Sequence, residues 1–223
     1  MEINLAKKAA GEKAAEYVES GMNIGLGTGS TVYYTILKLG EQVKSGMKLK
    51  AIATSLATEK LAKECGIPIV DFSATQELDL TIDGADEVDG KWNLIKGGGG
   101  ALMREKIVAA ASREFIVVVD ASKKVDYLGK FPLPVEVIPF GWEVTLKHIK
   151  ALCRTAYLRT KGAEIFVTDN NNYIVDMPIK SIISPKQLEL QLREIPGVAV
   201  TGLFIGMASK VIVGETDGKV VEL

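Results

Sequence analysis

The sequence predicts an α/β fold with a largely parallel sheet and a second, smaller ferredoxin-like module. Short apolar segments alternate with helical patterns up to residue 130, as in sheets whose parallel strands are joined by helices. The run FIVVVD is apolar up to its last residue, which is typical of a strand buried on both faces. Three prolines in FPLPVEVIPFG then mark a change, and patterns in β-α-β-β-α-β order follow.

Hydrophobic periodicity locates the elements of the first module. Its predicted strands are short and apolar, and polar residues or glycines follow them. Predicted helices cover residues 1–20, Thr31–Val43, Ser55–Cys65 and Ala101–Ser112. Predicted strands cover Met22–Leu26, Leu49–Thr54, Ile67–Val70, Leu78–Ile82, Trp92–Ile95 and Phe115–Asp120.

The second module is predicted in the same way. Its strands are Val135–Ile138, Ala156–Arg159, a hairpin of Ile165–Thr168 with Tyr173–Asp176, and Val198–Phe204, and its helices are Trp142–Leu152 and Pro185–Glu194. The tail from Lys210 contains a second hairpin pattern that can rejoin the first sheet. These patterns predict one domain over 1–130 plus 205–223 and another over 131–204.

Composition narrows the function classes. The chain has 223 residues, a net charge of −1 and 47% hydrophobic residues, so we expect a globular protein with no nucleic-acid partner and no membrane partner. No signal peptide and no run of about 20 apolar residues is present, so we expect a cytoplasmic protein. Cys65 and Cys153 form no CxxC pair, and His148 is the only histidine, which argues against zinc sites and Ser-His-Asp hydrolysis.

The segment Gly25-Leu-Gly-Thr-Gly-Ser-Thr31 lies between a predicted strand and a predicted helix. Thr28, Gly29, Ser30 and Thr31 there offer backbone N–H groups and hydroxyls to an anion at a helix N-terminus. The glycine spacing does not match the dinucleotide fingerprint, and no lysine precedes Ser30 as in a nucleotide P-loop. A small-phosphate site and a purely structural turn both remain open.

Three acidic groups and one lysine flank a run of four glycines. Asp83-Gly84-Ala85-Asp86 follows a predicted strand, and its spacing does not fit a calcium loop. Lys96 with Gly97, Gly98 and Gly99 follows the next strand, and Glu105 lies about one turn into the following helix. Lys123 and Lys7 are candidates to reach a phosphate. Each residue taken alone also fits a structural interpretation, such as an acidic turn, a favourable first-turn glutamate or a solvated lysine.

Together these groups can move a proton next to a carbonyl without a cofactor. A carboxylate can act as the base, and nearby donors can stabilise a developing enediolate. That is the chemistry of aldose–ketose isomerisation of a sugar phosphate.

A series of ordered motifs resembles the ribose-5-phosphate isomerases of the A type. The motifs are GLGTGST, TSLATEKLAKECGIP, TIDGADEVD, IKGGGGALMREKIV, VVVDASK, LGKFPLPVEVIP, TDNNNYIVD and IPGVAVTGLF. The resemblance implies interconversion of ribose 5-phosphate and ribulose 5-phosphate in the pentose phosphate pathway, no cofactor, and a homodimer or homotetramer. It also implies a doubly wound α/β domain with a small ferredoxin-like lid.

The resemblance assigns roles to the candidate residues. Glu105 resembles the base that moves a proton between carbons 1 and 2, and Asp83 the group that assists ring opening, with Asp86 beside it. Lys96 with Gly97, Gly98 and Gly99 resembles the enediolate stabiliser. The expected substrate contacts are Thr28, Gly29, Ser30, Thr31, Gly84, Ala85, Lys123 and Lys7. The alternatives are a non-catalytic sugar-phosphate sensor and a relative of hexosamine-phosphate deaminases or acyl-CoA transferases.

Overall fold

A computed structural model describes residues 4–223, so the first three residues of the predicted N-terminal helix lie outside the described part. The helices are α1 (Leu5–Ala15), α2 (Val32–Lys44), α3 (Leu56–Glu64), α4 (Leu102–Ala110), α5 (Trp142–Leu152) and α6 (Pro185–Arg193). The strands are β1 (Asn23–Leu26), β2 (Lys50–Ala53), β3 (Leu78–Gly84), β4 (Glu87–Val88), β5 (Leu94–Ile95), β6 (Ser112–Asp120), β7 (Leu133–Val137), β8 (Tyr157–Leu158), β9 (Thr160–Lys161), β10 (Glu164–Ile165), β11 (Tyr173–Met177), β12 (Val198–Thr201), β13 (Leu203–Phe204), β14 (Lys210–Gly214) and β15 (Val220–Glu222).

The chain forms two compact units. The first contains the part up to Ala85 together with Arg104–Lys123 and Met207–Leu223. The second contains Asp86–Met103 and Lys124–Gly206, so it extends beyond the predicted second domain of 131–204. The extension follows from pairing, because β4 and β5 form a three-stranded antiparallel sheet with β13.

The first unit is built on a six-stranded sheet in the order β15-β14-β6-β3-β1-β2. All neighbours are parallel except β14 and β15, which form the antiparallel hairpin that the tail pattern predicted. The core includes Ile24, Leu26, Ile82, Ile116 and Val118, all fully buried. Short apolar strands with such neighbours are what a two-sided parallel sheet requires. The parallel arrangement brings the loops after β1, β3 and β6 to one edge of the sheet.

The second unit contains a four-stranded antiparallel sheet in the order β12-β7-β11-β8. With α5 after β7 and α6 after β11, this is the ferredoxin-like arrangement that the β-α-β-β-α-β pattern predicted. Residues Leu133, Val135 and Val137 alternate into a core that also contains Ile149 of α5 and Leu192 of α6. His148 is exposed on α5, as expected for a helix surface residue.

Three predicted elements were wrong. Ile67–Val70 is not a strand, because it makes only a single bridge, Ala51 with Ile69. Ile165–Thr168 does not form a full arm of a hairpin, since Tyr173–Met177 pairs with β7 and β8, and its pairing with this segment is the isolated bridge Val167–Tyr173. The last predicted strand is split, because β12 pairs with β7 whereas β13 pairs with β5.

Within residues 4–223, every helix is too short or too polar to cross a lipid bilayer.

Candidate active site

The loop after β1, Gly27–Thr31, is here named the anion loop after its predicted ligand, and it belongs to the first unit. It leads into α2, so its backbone lies at a helix N-terminus, where N–H groups favour bound anions. Gly29 has a φ of 138°, which is accessible to glycine, and both Gly29 and Ser30 are exposed. The Lys7 ammonium donates to the Ser30 hydroxyl over 3.0 Å. Two of the predicted phosphate contacts, far apart in sequence, are therefore adjacent.

Thr28 has a different role from the rest of the anion loop. Its N–H donates to Asp83 Oδ1 over 3.0 Å, so this donor is already used within the protein. Its hydroxyl lies 2.8 Å from those of Thr54 and Ser55 and 3.1 Å from that of Thr58. The side chain of Thr28 thus ties the anion loop to the start of α3. Sequence reasoning missed this hydroxyl cluster, although Ser55 has the pattern of a helix N-cap.

We expect Thr28→Val to raise the KM for the sugar phosphate by roughly 10-fold, with kcat changed by less than about threefold. Valine has the shape of threonine but removes one hydroxyl, which leaves buried hydroxyl partners without a hydrogen bond. Steady-state kinetics would measure this, with the exposed Thr160→Val as the matched control. A KM equal to that of the unmodified protein would mean that the cluster does not hold the loop.

Asp83, the penultimate residue of β3, is a fully buried carboxylate. Its Oδ1 accepts from the N–H groups of Thr28 over 3.0 Å and Gly84 over 2.7 Å. A Cβ at Gly27 would lie 2.1 Å from the Asp83 carboxyl carbon, so only glycine lets β1 approach this side chain. Gly27, which precedes the predicted phosphate contacts, therefore makes room for a carboxylate. Ala85, next to this turn, is half-buried.

Glu105 lies in the first turn of α4 and is only 4% exposed. Its helix packs on the sheet through Val108, whose side chain lies 2.4 Å from where a Cβ of Gly25 would be. Glu105 precedes Val108 by three residues and so lies on the same face of the helix. Asp83 follows Thr81 by two residues and so lies on the same face of the sheet. Thr81 also contacts the Cβ position of Gly25, so both carboxylates belong to the same side of the sheet.

Lys123 lies at the end of a short 3₁₀ helix, Ala121–Lys123, directly after β6. It is half-buried, and β6 is the neighbour of β3 in the sheet. Because the two strands are parallel, Lys123 after β6 and Asp83 near the end of β3 lie at the same edge of the sheet.

Asp86, Lys96, Gly97, Gly98 and Gly99 belong to the second unit. The residues Gly97–Gly100 form a tight turn, here named the glycine loop. The Gly98 N–H donates to Asp86 Oδ2 over 2.7 Å, and a Cβ at Gly98 would lie 2.6 Å from Asp86 Oδ1. Asp86 therefore organises this loop directly.

Lys96 precedes the glycine loop and is only 2% exposed. Its N–H donates to the Gly202 carbonyl over 2.9 Å, and its ammonium lies 5.6 Å from the centroid of the Phe204 ring. A buried ammonium over an aromatic ring is held in one place, as a group that stabilises negative charge requires.

Sequence reasoning missed Arg159 and Asp176. Arg159 Nη1 donates to the carbonyls of Gly97 over 2.9 Å and Gly98 over 3.1 Å, and its other nitrogens bind Asp176. Arg159 and Gly97 are 62 residues apart, and nothing in their spacing connects them. The only signal in the sequence was that Arg159 and Asp176 are charged residues at the ends of predicted strands.

Comparison with known proteins gives a family. The sequence profile described as Ribose 5-phosphate isomerase A (phosphoriboisomerase A) matches residues 50–218. The ribose-5-phosphate isomerase A 1 of Oceanobacillus iheyensis is 54% identical over 212 residues, which cover 95% of each chain. That of Bacillus mycoides is 52% identical over 214 residues, which cover 95% of this chain and 96% of the relative. This chain belongs to the ribose 5-phosphate isomerase A family.

Solved structures of this family have the same fold. The ribose 5-phosphate isomerase from Plasmodium falciparum aligns with a TM-score of 0.95 at 38% identity, covering 99% of this chain and 98% of that one. A D-ribose-5-phosphate isomerase in complex with phospho-erythronic acid aligns with a TM-score of 0.94 at 41% identity, covering 100% of this chain and 99% of that one. The predicted α/β fold class and the family resemblance are both confirmed. The anion loop precedes the profile match but lies within these full-length alignments.

Proposed function

We propose that this member of the ribose 5-phosphate isomerase A family interconverts D-ribose 5-phosphate and D-ribulose 5-phosphate through an enediolate, without a cofactor. The burial of Glu105, on the face of α4 that packs against the sheet, is the observation that carries the proposal. A glutamate placed in a first turn only for its favourable charge would be exposed to water. A carboxylate withdrawn from water, on the same side of the sheet as a second buried carboxylate, suits proton transfer.

The proton shuttle assigns one step to each group. Glu105 removes the proton from carbon 2 of the open-chain aldose, and the electrons of that bond form the enediolate while the carbonyl oxygen gains negative charge. The protonated Glu105 then returns the proton to carbon 1, while the hydroxyl proton moves from oxygen 2 to oxygen 1. Lys96 and the N–H groups of the glycine loop stabilise the charge that develops on these oxygens. Asp83 assists opening of the furanose ring, and Asp86 holds the glycine loop.

The anion loop binds the phosphate in this proposal. Backbone N–H groups at Gly29, Ser30 and Thr31 meet the start of α2, and Lys7 adds a positive charge beside Ser30. Lys123 contributes a second charge from the end of β6. Because the net charge of the chain is −1, the phosphate is held by these local groups and not by the field of the whole protein.

We expect Lys123→Ala to raise the KM for ribose 5-phosphate by about 10-fold, with kcat nearly unchanged, because loss of a charge-assisted contact weakens ground state and transition state alike. The adjacent, exposed Lys124→Ala is the matched control. Steady-state kinetics at two ionic strengths would measure the effect. An unchanged KM for Lys123→Ala would remove this lysine from the phosphate site.

A direct assay tests the proposed activity. The purified protein, with chelator and without added nucleotide or metal, is expected to form ribulose 5-phosphate from ribose 5-phosphate. A sensor would bind the sugar phosphate without turnover, and a deaminase or CoA transferase would act only on an amino-sugar phosphate or a thioester. Absence of ribulose 5-phosphate under these conditions would overturn the proposed function.

The same proposal includes the setting of the enzyme. We propose a cytoplasmic homodimer or homotetramer acting in the non-oxidative branch of the pentose phosphate pathway. Phe140 at 94% exposed, Ile183 at 75% and Val144 at 60% support a subunit contact on the second unit, because large exposed apolar side chains favour association. Light scattering coupled to size-exclusion chromatography would give the mass, and a monomer at micromolar concentration would contradict this part.

A further inference from the structure

Arg159 joins two parts of the second unit that are distant in sequence. Its Nε and Nη2 donate to the two carboxylate oxygens of Asp176 over 2.8 and 2.6 Å, which is a bidentate pair. Its Nη1 donates to the carbonyls of Gly97 and Gly98. The side chains of Arg159 and Asp176 are only 13% and 9% exposed. A buried ion pair is thus directed at the backbone of the glycine loop.

The contacts from Arg159 define two peptide planes. In a trans peptide the C=O and the following N–H point in opposite directions. The plane between Gly97 and Gly98 is held at both ends, by Arg159 at its carbonyl and by Asp86 at its N–H. The plane between Gly98 and Gly99 is held by Arg159 at its carbonyl, so the Gly99 N–H points away from Arg159. Gly99 is the exposed residue of the loop.

We propose that Arg159 is a positioning residue for isomerisation: it fixes the glycine loop so that the Gly99 N–H faces the developing enediolate oxygen. This inference rests on the proposed function. Without the arginine, four consecutive glycines would sample many backbone conformations, because each has unusually wide φ/ψ freedom. A donor that must reorganise during the reaction stabilises the transition state less than one already in place.

The surroundings of Arg159 support a rigid clamp. Its guanidinium lies 5.6 Å from the centroid of the Phe166 ring. A Cβ at Gly100 would lie 2.5 Å from that same ring, so the Phe166 ring packs directly against Gly100, the last residue of the glycine loop. Arginine suits this position and lysine does not, since only a planar fork can bind a carboxylate and two carbonyls at once.

Arg159→Lys and Arg159→Gln test the proposal. We expect kcat to fall by roughly 10- to 100-fold in both, with KM changed by less than about threefold, as for loss of an oriented oxyanion donor. Binding of phospho-erythronic acid, whose carboxylate resembles an enediolate, is expected to weaken by at least about 10-fold on the same grounds. Competitive inhibition by inorganic phosphate should stay within about twofold, because the anion loop keeps its contacts. The exposed Arg154→Gln is the control, and it should retain all three values.

A second variant keeps the test clear if a single change unfolds the protein. Replacing the pair by Arg159→Met with Asp176→Leu leaves no buried charge without a partner, which protein interiors often tolerate. We expect this folded double variant to lose kcat as Arg159→Gln does. A kcat within about threefold of the unmodified enzyme, or equal weakening of phosphate and phospho-erythronic acid, would overturn the positioning role. Failure of the proposed function is a separate outcome, because then the unmodified protein would itself form no ribulose 5-phosphate.

Discussion

Glu105→Gln is expected to lower kcat by about 10²-fold or more while the protein stays folded, because glutamine has the shape of glutamate but cannot accept the proton. The variant retains the side-chain volume at a position that is 4% exposed, so packing of α4 on the sheet is preserved. Circular dichroism and thermal unfolding would verify that the fold is intact. The exposed Glu64→Gln, which also lies on a helix, is the matched control.

Isotope exchange makes this test specific to proton transfer. In deuterium oxide, the unmodified enzyme should exchange the transferred hydrogen at carbon 1 of ribulose 5-phosphate with solvent, as NMR can follow. Glu105→Gln is expected to slow that exchange by the same factor as kcat, because both pass through one proton removal. Near-normal exchange in this variant would show that another group is the base.

Asp83→Asn is expected to lower turnover of ribose 5-phosphate by about 10²-fold, the scale of one acid–base group, with little change in stability. Asparagine retains an oxygen that can accept from the N–H groups of Thr28 and Gly84, so the turn after β3 is kept. What is lost is the negative charge that assists ring opening. Asp83→Ala should in addition raise KM, because it releases the N–H of Thr28 in the anion loop.

The direction of the reaction separates Asp83 from Glu105. Phosphorylation of oxygen 5 prevents ribulose 5-phosphate from closing a five-membered ring, so removal of its carbon 1 proton needs no ring opening. We therefore expect Asp83→Asn to retain most of the solvent exchange at carbon 1 that Glu105→Gln loses. Equal loss of exchange in both variants would contradict the ring-opening role and place Asp83 in the proton transfer itself.

The local pattern of apolar residues predicted a strand or helix correctly where the tertiary packing buries those same residues. The FIVVVD strand is present because its continuous apolar run is buried in the sheet, and the helix Trp142–Leu152 because its apolar face packs in the core of the second unit. Leu5 shows the opposite case, since it is 59% exposed while Ala6, Ala10, Ala14 and Ala15 of α1 are buried. Small residues face the core there because α1 lies close to α2: a Cβ at Gly11 would come within 2.6 Å of the Thr31 carbonyl oxygen. The distance between α1 and α2 cannot be predicted from the periodicity of either helix alone.

The residues of the candidate site were predicted from the sequence, but their hydrogen-bond partners were not. The Gly-rich and acidic motifs at strand ends identified the anion loop, Asp83, Asp86 and Lys96 as candidates, and the ordered motifs indicated the family, which is confirmed. The catalytic roles stay predictions, with Glu105→Gln and Asp83→Asn as their tests. The partners of these residues were not predictable, because a hydrogen bond depends on which segments become neighbours.

The amino-acid sequence alone determined the strands and helices with strong periodicity, the glycines before two helices, and membership in a family of sugar-phosphate isomerases. Only the tertiary structure decided that Thr28 turns its hydroxyl toward α3, that Gly27 makes room for Asp83, and that Arg159 holds the glycine loop. The physical reason is the order of strands in the sheets: β1 lies between β2 and β3, and β11 lies between β7 and β8. Pairing of segments distant along the chain sets distances of a few ångströms that local propensity does not encode.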